Sequence, residues 1–408
     1  MVKNFDSLEI RSSDERAKDI SIKLPELIKS AKENSIYYKS SLKEIDPNLI
    51  IDEKILSTLP VVRKSEMIFK GKTVLPLKKF IGRSFESIDQ IFQSPGPIYE
   101  PGMHKKDWWR WGRALSAIGI GNGDIVQNCF SYHFTPAGMM FESAALAVGA
   151  IVVPTGTGQT ELQAQAISNL GVTVYAGTPD YLKTILDKGN ELGLDTSCLK
   201  KAAVSAGPLF PALREEYKDR GILCRQSYGT ADLGLIAYES EAMEGMILDE
   251  GVIVEIVTPG TGIPVNEGEI GEVVVTTFNN DYPMIRFATG DLSAVKPGQS
   301  PCGRTNKLIV GWRGRADQAA KVKGMFVRPE QVAMLVSKHK NIYKARISIN
   351  HDGSTDIMNI QLETESLDKN EFENSIKEIF KLRASIELVP PKSLPNDGKV
   401  IDDLREIN

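Results

Sequence analysis

The stretch that decides the fold runs from residue 145 to residue 182 and reads ALAVGAIVVPTGTGQTELQAQAISNLGVTVYAGTPDYL. Two short apolar runs, AIVVP at 150–154 and VTVYAG at 172–177, alternate with segments whose apolar residues follow helical spacing. We interpret the runs as buried strands and the segments between them as helices. Because strands joined through single helices pair in parallel, this stretch predicts a parallel sheet wrapped by helices.

The same alternation extends in both directions along the chain. DIVQNCF at 124–130 is a predicted strand, and the residues before it predict a helix over 107–118 that begins with Asp107 as its N-cap. KKAAVSAG at 200–207 continues the series with another strand. Residues 1–90 are polar and mainly helical in their spacing, so we expect helices there.

The pattern changes after residue 245, where strand-like runs are separated by Gly and Asp turns. These runs predict a small antiparallel β-subdomain. GWRGRAD at 311–317 is rich in Gly and Arg and is interpreted as an interdomain hinge. We therefore predict an α/β fold, with a large N-terminal domain of layered sheets and helices at 1–312 and a small α+β C-terminal domain at 313–408.

The composition excludes several classes of protein. The chain has 408 residues and a formal net charge of −4, so it has no basic field to bind nucleic acid or an anionic membrane. It has no apolar run long enough to span a membrane, and its first residues lack the apolar core of a signal peptide. The four cysteines are far apart without CxxC spacing, so we expect reduced thiols in a cytoplasmic protein and no zinc site.

The segment QSYGTADLG at 226–234 combines a turn, an aromatic ring and an acid. Gly229 allows the backbone to approach a nucleotide, and the ring of Tyr228 can stack on adenine. The carboxylate of Asp232 can hold Mg²⁺ on phosphate oxygens. An ordinary Tyr-Gly turn capping a helix is the alternative interpretation.

Two further segments carry charged groups suited to a nucleotide. MIRFATGDLSAV at 284–295 places Asp291 where its carboxylate can accept both ribose hydroxyls, although a plain Gly-Asp hairpin turn is the alternative. LPNDGKVID at 394–402 presents Lys399 on a loop, where an ammonium can bridge charged oxygens in a transition state. A solvated surface lysine is the alternative for Lys399.

Together these segments resemble the adenylate-forming superfamily, whose members join a carboxylate to AMP and then to a thiol. The similarity is greatest to the phenylacetate–coenzyme A ligase branch and extends from about residue 85 to the C-terminus. It rests on the 145–182 stretch, on CGRT at 302–305 and on the GRAD and VKG segments that follow. The resemblance implies that the C-terminal domain is a lid that rotates about a hinge.

The resemblance also implies a role for each matching position. The nucleotide would be bound by Gly207, Tyr228, Gly229, Thr230, Asp291 and Arg315. The catalytic residues would be Lys399, which contacts the carboxylate and the α-phosphate, and Asp232, which stands where the family has its magnesium-binding Glu. The acyl pocket would include His133, Phe134 and Ala206, and the hinge would lie at Asp317.

The phosphate loop departs from the pattern of the family, which is rich in Ser, Thr and Gly and ends in Lys. The corresponding segment here is IFQSPGPIYEPG at 91–102, which keeps Ser94 and Gly96. Its three prolines remove N–H donors, and Glu100 stands about where a cation is expected. We therefore expect weakened binding of the triphosphate.

The function implied is ATP-dependent activation of a small or aromatic carboxylic acid through an acyl-adenylate, followed by transfer to coenzyme A. The cofactors and substrates would be ATP or AMP, Mg²⁺ and coenzyme A. The expected partners are a carboxylic acid and coenzyme A, with no nucleic acid, no membrane and a possible homodimer. Two alternatives stay open, namely a non-catalytic paralogue that binds acyl-CoA or AMP, and an enzyme that retains only the thioester half-reaction.

Overall fold

The computed structural model describes residues 4–69, 75–94, 97–207, 209–318, 320–322, 325–351, 356–395 and 399–405. The chain divides into two compact units, each built from three segments. Unit 1 comprises Met1–Ala206, Ile222–Thr289 and Ala294–Gly311. Unit 2 comprises Gly207–Gly221, Gly290–Ser293 and Trp312–Asn408.

Among the described residues, nine helices belong to unit 1. They are α1 (Ser13–Asn34), α2 (Ile36–Ser41), α3 (Glu53–Leu56), α4 (Lys64–Met67), α5 (Pro76–Phe80), α6 (Gly112–Ala117), α7 (Ala137–Ala147), α8 (Thr160–Leu170) and α9 (Pro179–Glu191). Helix α1 begins with a capping box, in which the Ser12 hydroxyl accepts from the Glu15 N–H and the Glu15 carboxylate accepts from the Ser12 N–H. The predicted helical N-terminal region is present in the described part of the chain.

The strands of unit 1 follow in chain order. They are β1 (Val62–Arg63), β2 (Gln90–Ser94), β3 (Ile98–Gly102), β4 (Ile125–Asn128), β5 (Ile151–Val153), β6 (Val174–Gly177), β7 (Lys201–Val204), β8 (Leu223–Thr230), β9 (Gly234–Tyr238), β10 (Met246–Leu248), β11 (Val252–Val257), β12 (Gly271–Thr277), β13 (Phe287–Ser293), β14 (Val295–Lys296) and β15 (Leu308–Ile309). Strand β13 continues from unit 1 into unit 2 after Thr289.

The central sheet of unit 1 contains, within the described ranges, nine strands in the order β14-β15-β10-β9-β8-β7-β6-β4-β5. Strands β5, β4, β6, β7 and β8 pair in parallel, and the pairing becomes antiparallel from β8 to β9. Helices α7, α8 and α9 connect consecutive parallel strands. Residues of α7 such as Phe141 and Ala144 pack with Val126 and Val174 of the sheet in one buried cluster. The parallel sheet predicted from residues 145–182 is confirmed.

Two sequence predictions for unit 1, one for a strand and one for a helix, are wrong in detail. The segment AIVVP was expected to be a buried strand, but β5 is the last strand of the sheet and Ile151 is 61% exposed. The helix predicted over 107–118 begins only at Gly112, because Asp107 and Arg110 have left-handed backbone conformations with φ of 48° and 69°. Its Asp107 side chain still accepts hydrogen bonds from the Gly112 N–H, at 3.0 Å to each oxygen.

The β-rich region after residue 245 is divided between two sheets. Strands β10, β14 and β15 belong to the central sheet, and β11, β12 and β13 join β1 in a second sheet with the order β1-β13-β12-β11. Strands β11 and β12 pair antiparallel over their whole length, from Val252 opposite Thr277 to Val257 opposite Glu272. Strand β1 comes from the helical N-terminal region and pairs in parallel with β13. The sheet is therefore mixed, with the predicted antiparallel pair at its edge.

The CGRT segment contributes a buried ion pair to unit 1. The side chain of Arg304 is 1% exposed, and its Nε donates to Glu9 Oε1 at 2.6 Å. The Tyr238 hydroxyl donates to the same carboxylate oxygen at 2.8 Å. This pair joins the N-terminal segment to strand β9 and to the end of the β-rich region, so its partners are almost three hundred positions apart in the sequence.

Unit 2 is an α+β structure around its own buried core. Its described elements are α10 (Pro211–Asp219), β16 (Ala320–Val322), β17 (Met325–Val327), α11 (Pro329–Lys338), β18 (Ile342–His351), β19 (Asp356–Thr364), α12 (Asn370–Phe380), β20 (Ser385–Val389) and β21 (Ile401–Asp403). Strands β20-β19-β18-β21 form one sheet, and β16 pairs with β17. The core contains Leu335, Ile347 and Phe372, and Phe210, next to α10 in the sequence, packs against it.

No helix in the described part of the chain is both long enough and apolar enough to cross a membrane.

Candidate functional site

The 226–234 segment forms a tight connection between strands β8 and β9. The two strands pair antiparallel, with Thr230 opposite Gly234 and a register irregularity between Tyr228 and Gly229. The Thr230 hydroxyl accepts from the Leu233 N–H at 3.2 Å, which holds the turn. The segment therefore joins two strands, and the alternative of a turn that caps a helix is wrong.

The glycine and the aromatic ring of this segment are fixed by packing. A Cβ at Gly229 would lie 2.3 Å from the carbonyl oxygen of Gly234 and 2.4 Å from the ring of Trp111. Tyr228 is partly buried, and its hydroxyl donates to Thr289 Oγ1 at 3.3 Å. The strand backbone and the hydrogen bond of the hydroxyl thus fix the position of the Tyr228 ring. A fixed aromatic ring is a suitable surface for the stacking of a flat base.

The acid of the segment, Asp232, lies in a buried cluster of charged and polar groups that we name the carboxylate cluster: Lys64, Ser94, Glu100, Asp232 and Tyr282. The Asp232 side chain has no exposed surface, and Lys64 Nζ lies 3.3 Å from its Oδ2. Glu100 is 0% exposed, and its Oε1 accepts from the Ser94 hydroxyl. The sequence predictions included Ser94, Glu100 and Asp232 separately and missed both Lys64 and Tyr282.

Several polar atoms of the carboxylate cluster lack hydrogen-bond partners in the described part of the chain. They are both carboxylate oxygens of Asp232, Oε2 of Glu100 and the hydroxyl of Tyr282. Burial raises the pKa of Glu100, the neighbouring Asp232 raises it further, and Ser94 and Lys64 oppose the shift. Burial also raises the pKa of Tyr282, with added contributions from the Asp232 and Glu100 carboxylates.

The donor set of this cluster fits Mg²⁺ in chemical type. Mg²⁺ is usually bound through one or two carboxylates, with water and substrate phosphate oxygens completing its coordination. Asp232 and Glu100 provide two buried carboxylates, of which Asp232 Oδ1 and Glu100 Oε2 have no hydrogen-bond partner in the described part of the chain. No group of three or more His, Cys, Asp or Glu side chains suited to a metal occurs among the described residues, so these two would need ligands from water or substrate.

The predicted phosphate loop is a β-hairpin formed by β2 and β3, with Ser94 opposite Ile98. Gly96 lies outside the described residues. Glu100 lies on β3 with its side chain fully buried, so it is not a solvent-exposed charge that faces an incoming phosphate. The N–H of Gln93 donates to the carbonyl of Phe134 at 2.8 Å, which ties the hairpin to the predicted acyl-pocket loop.

The three predicted acyl-pocket residues lie on two loops with unusual backbone conformations. Phe134 has φ of 61° and is 77% exposed, and its neighbour His133 is also exposed. Ala206 has φ of 61° and is exposed. Left-handed conformations in residues other than glycine are strained by about 1–2 kcal/mol, and such strain clusters at functional sites. The role of these residues in an acyl pocket stays a prediction.

In unit 2, the predicted ribose-binding acid is held by two donors. The carboxylate oxygen Oδ1 of Asp291 accepts from Trp312 Nε1 at 3.2 Å and from Arg315 at 3.4 Å, and the residue is 9% exposed. Asp291 lies inside strand β13 and forms a bridge to Arg315, so the alternative of a Gly-Asp hairpin turn is wrong. Gly290 has φ of 76°, and a Cβ there would lie 2.7 Å from Arg315 Nη2.

The remaining predicted residues of unit 2 are Gly207, Asp317 and Lys399. Gly207 begins the segment that leads into α10. The backbone of Asp317 lies in a short 3₁₀ helix, Ala316–Gln318. Lys399 is about half exposed, and its Nζ lies 3.2 Å from Asp402 Oδ1. Arg346 and Lys399 hold the pKa of Asp402 below its usual range.

A separate cavity of about 1060 Å³ opens in unit 1, with Phe5, Asp107, Arg110 and Glu250 among its lining residues. Its described lining includes no residue of the 226–234 segment. The arginines are occupied by other groups, since Arg110 donates to Asp249 at 2.8 Å. We therefore centre the candidate site on the carboxylate cluster and the 226–234 turn.

Comparisons with known proteins identify relatives that cover much of the chain. The model of a family described as AMP-binding enzyme matches residues 107–280. Phenylacetate–coenzyme A ligase of Thermus thermophilus is 26% identical over 359 residues, covering 84% of this chain and 80% of the relative. The enzyme of the same name from Aromatoleum evansii is 29% identical over 294 residues, covering 68% and 66%.

Solved structures show the same fold. A crystal structure of 2-hydroxyisobutyryl-CoA ligase in the postadenylation state, in complex with 2-HIB-AMP, aligns with a TM-score of 0.85 at 20% identity. The alignment covers 97% of this chain and 91% of that protein. The anthranilate CoA ligase AuaEII in complex with anthranoyl-AMP aligns with a TM-score of 0.58 at 19% identity, covering 78% and 67%.

The AMP-binding family model and the curated relatives confirm the predicted resemblance to the adenylate-forming superfamily, and the solved structure shares its fold. Within the superfamily, the curated relatives confirm the predicted phenylacetate–coenzyme A ligase-like branch. The roles of the individual site residues stay predictions.

Proposed function

We propose that this chain activates a small or aromatic carboxylic acid with ATP and transfers the acyl group to coenzyme A. The reaction forms an acyl-adenylate and pyrophosphate, and the thiol of coenzyme A then displaces AMP. The proposal is supported by relatives that are named as phenylacetate–coenzyme A ligases across most of the chain. Solved structures with the same fold contain 2-HIB-AMP and anthranoyl-AMP.

The observation that carries the proposal is the held carboxylate of Asp291. An acid that binds ribose must be fixed in direction before the sugar arrives, since disordered side chains lose entropy on binding. The Trp312 indole and the Arg315 guanidinium both donate to Asp291 Oδ1 and fix it in this way.

In the proposed first step, the acid attacks the α-phosphorus and pyrophosphate leaves. Lys399 would place its ammonium between the attacking carboxylate and the α-phosphate, where it stabilises the developing negative charge. Tyr228 would stack on adenine, and Asp291 would accept from the ribose hydroxyls. Mg²⁺, when bound at Asp232, would neutralise phosphate charge. The mechanism requires no side-chain nucleophile.

The first test is pyrophosphate release from MgATP in the presence of single acids, with phenylacetate, 2-hydroxyisobutyrate and anthranilate at the head of the panel. The wild-type chain should release pyrophosphate only when a cognate acid is present, and a thioester should form when coenzyme A is added. Absence of both steps across a wide panel would favour the binding paralogue. Activity from supplied acyl-adenylate alone would favour the half-reaction enzyme.

The second test separates the two steps through Lys399. Since the resemblance assigns Lys399 to adenylation alone, Lys399→Ala should slow pyrophosphate release by about a hundred- to thousandfold. Thioester formation from supplied acyl-adenylate should be largely spared. Lys338→Ala is the control, because Lys338 pairs with Glu378 on the exposed surface of the same unit. Equal loss in both half-reactions, or in neither, would remove Lys399 from this role.

A homodimer and a cytoplasmic location belong to the same proposal. The dimer is tested by light scattering on the purified chain, where the mass of a single chain, 44.9 kDa, at all concentrations would contradict it.

A further inference from the structure

We propose that Glu100 and Asp232 together form a divalent-cation site, in which Glu100 is a second carboxylate ligand and Lys64 is a cation that competes with the metal. The inference deepens the proposed function, because the resemblance assigns the metal to Asp232 alone. Glu100 stands in a segment where the family pattern has a phosphate loop without acids. The site lies within unit 1, on described residues only.

The first argument is the set of uncompensated oxygens. Asp232 Oδ1 and Glu100 Oε2 are buried without a hydrogen-bond donor in the described part of the chain, and Asp232 Oδ2 has the Lys64 ammonium at 3.3 Å. Leaving a buried acceptor unsatisfied costs about 1–3 kcal/mol, and more when the group is charged. A cation that contacts these oxygens removes that cost at several atoms together.

The second argument is independent of the two acids. The hydroxyl of Tyr282 is also buried, since the residue is 2% exposed, and it has no hydrogen-bond partner among the described residues. Burial raises the pKa of this hydroxyl, and the nearby charges of Asp232 and Glu100 raise it further. A hydrated metal ion would give this buried hydroxyl, Asp232 Oδ1 and Glu100 Oε2 the partners that they lack among the described residues.

The third argument concerns the positive charge of Lys64, which lies beside Asp232. Lys64 Nζ lies 3.3 Å from Asp232 Oδ2, and about a third of the Lys64 side chain is exposed. The ammonium can therefore swing toward solvent while the two acids stay on their strand and turn. When a divalent cation replaces it, the cluster gains positive charge beside the hairpin that replaces the phosphate loop. That charge suits a bound triphosphate, and it compensates for the N–H donors that the prolines remove.

The experiment is a titration of the nucleotide-free full chain with MnCl₂, followed by the electron paramagnetic resonance signal of free Mn²⁺. The wild-type chain should bind one Mn²⁺. Glu100→Gln and Asp232→Asn should each weaken binding at least tenfold. Lys64→Met should tighten it severalfold, because the competing ammonium is absent. Glu142→Gln is the control, since Glu142 is a partly buried acid bonded to Tyr132 and should not alter the titration.

A second variant keeps the test decisive if the acid variants fold poorly. Tyr282→Phe removes an unpartnered hydroxyl, so it should fold at least as well as the wild type while weakening Mn²⁺ binding severalfold. Wild-type affinity in Glu100→Gln, or no Mn²⁺ bound by the wild type, would overturn the inference. The titration contains no substrate, so its outcome does not depend on ligase activity. Mn²⁺ binding without ligase activity would contradict the proposed function alone. Ligase activity with unchanged Mn²⁺ binding in Glu100→Gln would contradict this inference alone.

Discussion

Position 229 has room for a hydrogen atom and for nothing larger. A methyl group there would meet the carbonyl oxygen of Gly234 at 2.3 Å and the Trp111 ring at 2.4 Å. Gly229→Ala should therefore destabilise the fold by about 1–3 kcal/mol, the usual range for overpacking. Urea denaturation followed by circular dichroism measures the change.

Gly121 supplies the matched control for this substitution. Its φ is not left-handed, and a Cβ there would have its nearest neighbour, the carbonyl oxygen of Val148, at 3.6 Å. Gly121→Ala should thus leave the unfolding midpoint nearly unchanged. Equal stability of the two variants would mean that the groups around Gly229, including Trp111, can shift at little cost in free energy.

The acid at position 107 should make stability depend on pH. Burial raises the pKa of Asp107 to about 7, and the nearby charge of Asp249 adds to the shift, while Gly112, Arg110 and Arg113 oppose it. The ordinary pKa of an unfolded Asp is about 3.9. Because the folded pKa is the higher one, the contribution of Asp107 to stability is fully present below pH 4. It is lost as the pH rises toward 7, by at most about 1.4 kcal/mol per pH unit.

Asp107→Asn tests this dependence, because the amide oxygen can still accept from the Gly112 N–H. The variant should be more stable than the wild type at pH 8, and its free energy of unfolding should fall less between pH 4 and pH 7. Glu44→Gln, at a side chain that is 87% exposed, is the control. Parallel curves for wild type and Asp107→Asn would show that Asp107 keeps an ordinary pKa in the folded protein.

Single residues also show the limit of prediction from sequence. Tyr228, Asp232, Asp291 and Lys399 could be selected because each stands in a short motif with its own spacing. The contact between Lys64 and Asp232 has no such signal, since the residues are far apart in the chain and meet only after the N-terminal helices pack. A lone lysine in a polar helical region cannot be distinguished from a surface lysine by its type.

At the scale of elements, strand β13 and the segment that follows residue 311 hold the predicted ribose-binding acid. Asp291→Ala removes an acceptor of charged hydrogen bonds, each of which contributes about 1.5–3 kcal/mol. AMP should therefore bind more weakly by at least tenfold in calorimetry. Asp403→Ala, at an exposed acid of the same unit that pairs with Arg405, is the control. Equal AMP affinity in wild type and Asp291→Ala would contradict the assignment.

The elements that the sequence predicted well are those with periodic patterns of their own. Helices α7, α8 and α9 and the parallel strands between them follow the predicted order, because apolar periodicity reports which face is buried. Strand β5 was predicted as a strand, but its exposed position at the edge was not predicted, since an apolar run carries no information about its place in a sheet. The late start of α6 depends on Arg110, whose left-handed backbone lets its side chain reach Asp249 and the carbonyl of Leu233.

At the scale of the whole molecule, the stability of the fold should be sensitive to the loss of one partner of the Arg304–Glu9 pair. Removing one partner of a buried ion pair leaves the other charge uncompensated, at a cost of about 3–5 kcal/mol. Arg304→Met should therefore lower the free energy of unfolding by that amount in urea. Adding Glu9→Gln should recover part of the loss, because the stranded carboxylate is then neutral.

Lys307→Met is the control for the same experiment. Lys307 pairs with Glu53 at the surface, with both side chains substantially exposed, and such pairs contribute about 0–1 kcal/mol. A loss for Arg304→Met no larger than that for Lys307→Met would show that the buried pair adds little to the fold.

The organisation of the chain into units could be predicted only in part. The Gly- and Arg-rich segment at 311–317 separates the β-rich pattern before it from the mixed helix and strand pattern after it, and this change is visible in the sequence. The membership of Gly207–Gly221 and Gly290–Ser293 in unit 2 depends on tertiary packing, which no local pattern encodes. The predicted boundary between 312 and 313 stays a prediction for the domains as independent folding units.

The packing of Phe210 against the core of unit 2 has a consequence for synthesis on the ribosome. The segment with Phe210 and α10 emerges long before Leu335, Ile347 and Phe372, the core residues that unit 2 provides. Chains fold from the N-terminus as they are made. The apolar side chain of Phe210 therefore lacks its packing partners until the rest of unit 2 has been synthesised. A nascent chain that stops near residue 312 should therefore be a better target for chaperones than the finished protein.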